Sequence, residues 1–407
     1  MDLYSGLPYW IAKNPLYNYF NPLKSNHTTE VAIIGSGITG ALIAHELCSA
    51  GITCTMIDKR TISTGSSAAS TALLQYEIDT PLYKMAKMIG EELAVEAYKA
   101  CLKSISDIKK VFDTINYNPD FENVPSVFYA SNKQGLSIIE KELDIRNKHK
   151  LPVNFLKGEE LYKKYGIEAP GALENTVSAQ IDAYAGATHI IDHYMRKKSL
   201  KVFLHTEIIK YEEKKEGYIL KTANNNTINC KYVIIAAGFE AGTFLPKKVM
   251  DLTSTYAIIS EPLEEKYIWH KRSLIWETKE PYLYIRTTNK NRIIVGGEDE
   301  EFKDPVLRDQ LLRDKVRILE RKIKKLFPDI PFKTDMAWCG TFSSTKDGLP
   351  FIGNWPGKDK MFYALGYGGN GITFSMIAAQ IIRNKLKGVK DNREAIFSFE
   401  RNTDILE

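Results

Sequence analysis

The feature that most constrains this sequence of 407 residues is a glycine turn, Gly35-Ser36-Gly37-Ile38-Thr39-Gly40, set between a strand and a helix. The residues before it, VAII, are a continuous apolar run typical of a strand buried on both faces of a parallel sheet. The residues after it carry apolar side chains at helical spacing as far as Gly51, and a second strand, ITCTMID, ends at Asp58. The segment therefore predicts a right-handed β-α-β unit.

Each part of this unit suits a dinucleotide. The three glycines permit a tight turn, a close approach of the backbone to a pyrophosphate, and contact between helix and strand, while the N-terminus of the helix attracts the anion. Asp58 follows Gly40 by eighteen residues and is placed to accept hydrogen bonds from an adenosine ribose. Lys59 and Arg60 would suit a 2′-phosphate, but Asp58 would repel that group, so we interpret their charges as solvated.

Composition favours a small-molecule partner. The chain is 44% apolar and 26% charged, and its net charge of +5 is spread along its length, so nothing indicates a nucleic-acid partner. The five cysteines form no zinc spacing and no Cys-x-x-Cys pair, and the longest apolar stretch is broken by glycines. His189 and His193 lack a third ligand. We therefore expect no metal, no membrane span and a cytoplasmic location.

The pattern along the chain predicts an α/β fold in discontinuous segments. Residues 1–28 read as an aromatic arm. We expect a Rossmann-like nucleotide-binding domain, a parallel sheet with helices on both faces, from 29–84, 151–240 and 335–407. An inserted α+β substrate or cap domain would comprise 85–150 and 241–334. Alternating strands between Leu252 and Gly297 predict an antiparallel sheet in that domain.

A second glycine turn, Gly366-Tyr367-Gly368-Gly369-Asn370-Gly371, precedes another apolar helix. Only 36 residues follow it, without a second strand and acid, so it does not predict a second dinucleotide unit. The N-terminus of this helix would instead stabilise the negative charge of a reduced flavin ring. Two further segments place small residues near a ligand: the loop SSAAST at 66–71 and the strand YVIIAAG at 232–238.

Together with TKDGLPFIG at 345–353, these motifs resemble the FAD-dependent D-amino-acid oxidase family, which includes glycine oxidase, sarcosine oxidase and γ-glutamylputrescine oxidase. The resemblance covers about Glu30 to Lys387 and implies bound FAD. Some members attach FAD through a cysteine near the TKDG-like segment, where this chain has Gly340, with Cys339 one step away. We therefore expect noncovalent FAD. The implied FAD-binding residues are Gly35, Gly37, Ile38, Thr39, Gly40, Asp58, Lys59, Ser66, Ser67, Ile208, Ala237, Gly238, Gly340, Gly369, Asn370, Gly371, Ile372 and Thr373.

On the substrate side, the resemblance implies an arginine that binds a carboxylate. Arg286 occupies the corresponding strand, and a guanidinium suits bidentate recognition. The alternative is an arginine exposed on the cap or paired with Glu298. Tyr256, Tyr284 and Tyr367 are further candidates for the pocket wall.

The implied reaction is oxidation of the C–N bond of an amino acid or related amine. Hydride would pass to flavin N5, the imine would hydrolyse, and oxygen would be reduced to hydrogen peroxide. Two alternatives stay open. One is a dehydrogenase of the same fold that passes electrons to a quinone or carrier, and the other is a flavin-binding protein with a partner- or tRNA-docking role.

Overall fold

The computed structural model describes residues 4–15, 20–301 and 304–401. Residues 1–3 and 16–19 of the predicted arm lie outside the described residues. The strands run in chain order: β1 (Tyr4–Gly6), β2 (His27–Ile34), β3 (Cys54–Ile57), β4 (Leu73–Leu74), β5 (Glu122–Tyr129), β6 (Asn154–Lys157), β7 (Gly171–Gln180), β8 (Leu200–Phe203), β9 (Ile208–Lys214), β10 (Gly217–Thr222), β11 (Thr227–Ile235), β12 (Asp251–Ser260), β13 (Leu274–Glu277), β14 (Tyr284–Thr287), β15 (Ile293–Glu301), β16 (Thr334–Ser344), β17 (Phe351–Asn354) and β18 (Met361–Leu365).

The α-helices follow the same order: α1 (Tyr9–Lys13), α2 (Ile38–Ser49), α3 (Ser66–Ala69), α4 (Leu82–Ile89), α5 (Glu91–Ile115), α6 (Lys133–Lys148), α7 (Gly158–Tyr165), α8 (Ala183–Arg196), α9 (Pro305–Leu326), α10 (Gly371–Leu386) and α11 (Glu394–Phe397). Short 3₁₀ helices include Gly238–Phe244, Gly368–Asn370 and Phe399–Arg401. Within the described segments, no helix has the length and apolar character needed to cross a bilayer.

An eight-stranded sheet carries the predicted β-α-β unit. Its main path is β17-β18-β11-β2-β3-β8, and β9 and β10 extend β11 as an antiparallel ribbon. The pairs from β18 to β8 are parallel, and β17 is an antiparallel edge. Since parallel strands place their carboxyl ends at one edge, the turns after β2, β3 and β11 meet there. The Rossmann-like α/β class is confirmed.

The two faces of this sheet are covered differently. Helices α2, α5, α8 and α10 share one core with Val31 and Ile33 of β2, and nearly every residue of α2 is buried. Ala32 and Ile34 point to the other face and pack with the β9–β10 ribbon and with Phe399 from a short helix. The long helices thus lie on one face, whereas we expected helices on both.

The second sheet has ten strands in the order β1-β16-β12-β15-β14-β13-β5-β7-β4, with β6 also paired to β7. Its central pairs β16/β12, β12/β15 and β15/β14 are antiparallel. Helix α9 covers one face, where Leu319 and Ile323 are fully buried with Tyr256 and Val295. An antiparallel sheet covered by a helix gives the α+β character expected of the inserted part.

The segment boundaries differ from the prediction in four places. Strand β4, from the range 29–84, belongs to the ten-stranded sheet. Strands β6 and β7, from the range 151–240, and β16, from 335–407, belong to the ten-stranded sheet. Helix α5, from 85–150, packs in the core of the eight-stranded sheet. An amphipathic period shows that one face is buried but not which sheet covers it, and this ambiguity accounts for the errors.

Candidate functional site

One long cavity lies at the carboxyl edge of the parallel sheet and extends between the two sheets. One end is formed by the residues after β3 and before β9, including Asp58 and Ile208. The middle is formed by the glycine turn after β2 and by α3. The far end is formed by the ten-stranded sheet, including Trp276 and Tyr284. The cavity therefore joins the motifs found at both ends of the sequence.

The glycine turn after β2 needs its glycines for close packing. Gly35 has φ +117°, and a Cβ there would lie 2.2 Å from the carbonyl oxygen of Ala236. A Cβ on Gly40 would lie 2.0 Å from the carbonyl oxygen of Gly35. Gly37 caps α2 without a side-chain hydrogen bond, and it lines the cavity with Ile38 and Thr39. The N-terminus of α2 therefore faces the cavity, as an anion site requires.

Asp58 is held rigidly at the end of β3. Its Oδ2 accepts hydrogen bonds from the backbone N–H of Ser36 at 2.8 Å and from its hydroxyl at 2.7 Å, and its Oδ1 accepts from the N–H of Arg60 at 2.8 Å. The carboxylate lines the cavity beside Ile208. Two ionised oxygens have room for further donors, so the geometry suits a ribose diol.

Lys59 and Arg60 line the same end of the cavity and share one counter-ion, Glu240. The Nζ of Lys59 lies 2.7 Å from Oε1 of Glu240, and Nη1 of Arg60 lies 2.7 Å from Oε2. Burial raises the pKa of Glu240, but hydrogen bonds from Arg60 and Lys59 outweigh it, and the net pKa is lowered. The two cations are thus paired with a carboxylate rather than simply solvated, as we had interpreted them, and Glu240 partly neutralises their charge.

The second glycine turn meets the first in the middle of the cavity. Gly369, Asn370, Gly371 and Ile372 all line it, and α10 begins there without a side-chain cap. Thr39 of α2 and Ser375 of α10 are joined by a hydrogen bond of 2.8 Å between their hydroxyl oxygens. The N-termini of two helices therefore point into one space, which favours negative charge. Other predicted residues lining this region are Ser66, Ser67, Ala237, Gly238, Gly340 and Tyr367.

Gly340 and Cys339 occupy opposite sides of β16. Gly340 lines the cavity, and a Cβ there would lie 3.1 Å from Cβ of Ala69. Cys339 is fully buried on the other side, with its sulfur 3.3 Å from the hydroxyl of Ser5. This placement agrees with noncovalent FAD, because the thiol does not face the cavity.

Four predicted residues are not among the described residues that line the cavity: Gly40, Thr373, Tyr256 and Arg286. Gly40 serves the contact between helix and strand. The hydroxyl of Thr373 donates to the carbonyl oxygen of Asn370 at 2.9 Å, within the first turn of α10. The hydroxyl of Tyr256 donates to the carbonyl oxygen of Arg308 at 3.4 Å, under α9. The side chains of Thr373 and Tyr256 therefore contact their own packing layers and not the cavity, which differs from our expectation.

Arg286 is also wrongly predicted as a carboxylate ligand. It is 2% exposed, and its Nη1 donates to the carbonyl oxygens of Thr71, Ala72 and Ile181 at 2.8–3.0 Å. Its guanidinium lies 5.4 Å from the ring centroid of Trp10. Thr71 and Ala72 line the cavity, but Arg286 does not. The guanidinium therefore supports the cavity wall from behind, and it is neither exposed nor paired with Glu298.

The far end of the cavity contains residues that the sequence analysis did not assign to the site. They are Glu77, Asp79, Thr255, Trp276, Tyr282 and Asp299. Asp79 accepts hydrogen bonds from the N–H of Gly369 at 2.6 Å and from the hydroxyl of Tyr282 at 3.1 Å. Asp299 follows the Gly296-Gly297 pair in β15. A Cβ on Gly296 would overlap the ring of Tyr284, so the strand needs a glycine there. The Gly296-Gly297 pair is therefore the feature of the sequence that could have indicated a nearby cavity.

The family to which the chain belongs identifies its cofactor. The model of the FAD-dependent oxidoreductase family DAO matches residues 30–384. The chain belongs to this family. It is 24% identical over 371 residues to a glycine oxidase of Bacillus licheniformis, covering 88% of this chain and 94% of the relative. It is 23% identical to a γ-glutamylputrescine oxidoreductase of Escherichia coli K12, covering 95% and 90%. FAD is thus the cofactor of this oxidoreductase.

Solved structures share the fold of the oxidoreductase. Glycine oxidase from Geobacillus kaustophilus superposes with a TM-score of 0.76 at 19% identity, covering 93% of this chain and all of that one. L-proline dehydrogenase from P. horikoshii gives a TM-score of 0.77 at 19% identity, covering 92% and 99%.

The residues of the cavity fit FAD. The glycine turns leave space that a Cβ would fill, and two helix N-termini converge on the middle. The hydroxyl of Thr341 is buried at the cavity wall with no hydrogen-bond partner among the described residues. A polar atom buried in this way is destabilising unless a ligand satisfies it.

Replacing Asp58 by alanine should weaken FAD binding about tenfold or more, because the variant loses both a ribose acceptor and the anchor of Ser36. Fluorescence titration of the apoprotein with FAD measures this change. Glu207→Ala is the matched control, since Glu207 is an exposed carboxylate at the same end. Equal affinities of the two variants would show that Asp58 does not bind the cofactor.

Proposed function

We propose that this oxidoreductase oxidises the C–N bond of a small amine and passes the electrons to oxygen as hydrogen peroxide. The bound FAD would supply a two-electron acceptor for the hydride of the α-carbon. As the C–H bond breaks, the nitrogen lone pair forms a C=N bond, and water then hydrolyses this imine to a carbonyl compound and free ammonia or amine. Oxygen takes up two electrons and two protons.

The observation that carries this proposal is the chamber at the far end of the cavity, next to the second glycine turn. Its walls are Trp276, Tyr282 and Tyr284, and its polar groups are carboxylates and hydroxyls. Hydride transfer from an amine requires orientation and exclusion of water more than acid–base groups. A chamber with aromatic walls beside the expected flavin ring meets both requirements.

The chain's own residues would orient the two reactants. Asp79 fixes the backbone of Gly369 and the hydroxyl of Tyr282, and so connects the flavin side of the chamber to the substrate side. The amide of Asn370 donates to the carbonyl oxygen of Glu77 at 2.7 Å and holds the start of α10 in place. Such fixed geometry favours a reactive arrangement over many unreactive ones.

Anaerobic mixing with amines tests the proposal. We expect the yellow absorbance of the holoenzyme to bleach on addition of the substrate, and to return when oxygen is admitted, with one hydrogen peroxide formed per cycle. Bleaching without peroxide would instead support a dehydrogenase that uses a quinone or carrier. A panel of primary and secondary amines and amino acids that leaves the flavin oxidised would refute oxidation of C–N bonds.

A further inference from the structure

We infer that the substrate of this site carries a second, cationic ammonium group beside the amine that is oxidised, and that this group binds at Asp79 and Asp299. The inference rests on the proposed function and names its substrate class: diamines and their longer analogues rather than α-amino acids. It is carried by the charges, the unsatisfied oxygen atoms and the aromatic walls of the chamber.

Charge is distributed unevenly along the cavity. At the chamber end, the ionisable acids are Glu77, Asp79 and Asp299. Of the described lining residues, the cations are Lys59 and Arg60, which lie at the Asp58 end and bind Glu240. Nη1 of Arg146 lies 3.4 Å from Oε1 of Glu77 and offsets the charge of that carboxylate, so the negative charge of the chamber is that of Asp79 and Asp299. A substrate carboxylate beside these two acids would meet like charges, which costs affinity, whereas an ammonium would be attracted.

Two carboxylates of the chamber have oxygen atoms without a donor. Oε2 of Glu77 is buried with no hydrogen-bond partner among the described residues, and the residue is 5% exposed. The other oxygen of Glu77 accepts from the amide of Asn175 at 2.5 Å. Oδ1 of Asp299 is likewise buried and unpartnered, while the hydroxyl of Thr255 hydrogen-bonds to this carboxyl group. Buried acceptors in a cavity require a donor, and an ammonium carries three. Asp79 already accepts from Gly369 and Tyr282, so its part in binding the ammonium is its negative charge, and Asp299 supplies the open oxygen.

The aromatic walls also suit a cation. The ring centroids of Trp276 and Tyr282 are 6.2 Å apart at an angle of 72°, and those of Tyr282 and Tyr284 are 5.7 Å apart at 54°. Rings at these angles surround one space with their faces and edges. An ammonium against such faces is attracted by their quadrupoles, most strongly where water is excluded. The hydroxyl of Tyr284 is occupied by Thr255 at 3.0 Å, which keeps the ring in place.

Acid should weaken binding of the ammonium group. Burial raises the pKa of Asp299 to about 7, and the neighbouring carboxyl groups of Asp79, Glu280 and Glu298 contribute to this rise, while Thr255 opposes the shift. Glu298 is itself paired with Lys315 and Lys322. Because only the ionised form attracts a cation, affinity should be highest above pH 7. It should fall about tenfold for each pH unit below the pKa.

The pH effect can be measured with butyltrimethylammonium. This probe keeps its charge at every pH and has no nitrogen lone pair, so it binds without being oxidised. It has no N–H group, so its binding measures the attraction of the carboxylates and the aromatic rings for a cation, without hydrogen bonds. We expect it to perturb the absorbance of the flavin and the fluorescence of Trp276, with about tenfold weaker binding at pH 6 than at pH 8. Absence of binding at pH 8, or an affinity independent of pH, would overturn the inference.

A series of equal chain length tests the substrate class. We expect the rate of anaerobic flavin reduction, as kcat/KM, to be highest for butane-1,4-diamine, lower for butylamine, and at least about 30-fold lower than the diamine for 4-aminobutanoate. If 4-aminobutanoate or glycine reduces the flavin as efficiently as the diamine, the inference fails while the proposed function stands. If no amine reduces the flavin, the proposed function fails first.

The Asp299→Asn variant removes the charge of this side chain but keeps its shape, and so tests whether the charge binds the ammonium group. The variant should lose about 10- to 100-fold in affinity for butyltrimethylammonium at pH 8, should bind it independently of pH between 6 and 8, and should retain its FAD. Glu298→Gln is the matched control, since it removes a neighbouring acid of β15 that does not line the cavity. Equal losses of affinity in both variants would show that the probe responds to the overall negative charge near the chamber, and would overturn the role of Asp299.

Discussion

A colourless protein is the expected result when Gly37 is replaced by valine. Gly37 has φ −75° and ψ −174°, which any residue adopts, and a Cβ there would meet the hydroxyl of Ser67 at 2.9 Å. That hydroxyl accepts from the N–H of Ile38 at 2.8 Å, so its displacement costs one hydrogen bond, about 1 kcal/mol. The fold should therefore survive. The two methyl groups would occupy the space at the start of α2 where the pyrophosphate is expected. We predict that FAD content falls at least about tenfold, because overpacking of this kind costs about 1–3 kcal/mol or more.

The measurement is the ratio of absorbance near the flavin maximum to that of the protein, together with circular dichroism as a check of folding. Gly51→Ala is the control for stability alone. Gly51 has φ +82°, and a Cβ added there would have nothing within 4 Å, so alanine strains the backbone without touching the cavity. A yellow Gly37→Val protein with full FAD content would show that the glycine turn does not bind the cofactor.

Replacing Arg286 by leucine should destabilise the protein and leave substrate affinity unchanged. The substitution leaves the carbonyl oxygens of Thr71, Ala72 and Ile181 without their shared donor in a buried place. We expect a loss of about 3–5 kcal/mol, visible as a lower Tm of several degrees. Burial lowers the pKa of Arg286 to about 10, so the side chain stays charged at neutral pH. The substitution therefore removes a charged hydrogen-bond donor, and the free energy of unfolding falls accordingly.

Arg317→Leu is the matched control, since Arg317 is exposed on α9 and pairs only weakly with Asp314 at 3.2 Å. Its Tm should change little, because exposed ion pairs contribute about 0–1 kcal/mol. The remaining holoenzyme of Arg286→Leu should keep its KM within about threefold of the value before substitution. An increase of KM by two orders of magnitude at an unchanged Tm would restore Arg286 as a substrate ligand.

The cofactor half of the site could be predicted from the sequence because its chemistry depends on the backbone. A turn that brings helix N–H groups to an anion needs glycines at fixed spacing, and Gly35 and Gly37 follow that rule. Asp58 could be found in the same way, since it ends the next parallel strand. Such local rules also predicted the antiparallel pairing of β14 with β15.

The substrate half could not be predicted in this way because it is built from side chains of distant strands. Asp79 and Asp299 belong to segments with no motif, and only the position of the ten-stranded sheet beside the second glycine turn brings both to one chamber. Arg286 lies on the strand that we predicted, but its guanidinium contacts backbone carbonyl groups and not the substrate chamber. Alternation places side chains above or below a sheet, and it does not show whether a loop such as Thr71–Ala72 covers them.

The hydrogen bond between Thr39 and Ser375 has a consequence for biosynthesis. These two residues are 336 positions apart, and each lies near the start of a helix that contributes to the same cavity. The nascent polypeptide on the ribosome therefore lacks one wall of the FAD pocket until α10 has been translated. Insertion of the cofactor is therefore expected to follow synthesis of α10, so flavin supply acts on a polypeptide that already contains both helices rather than on its first folded segment.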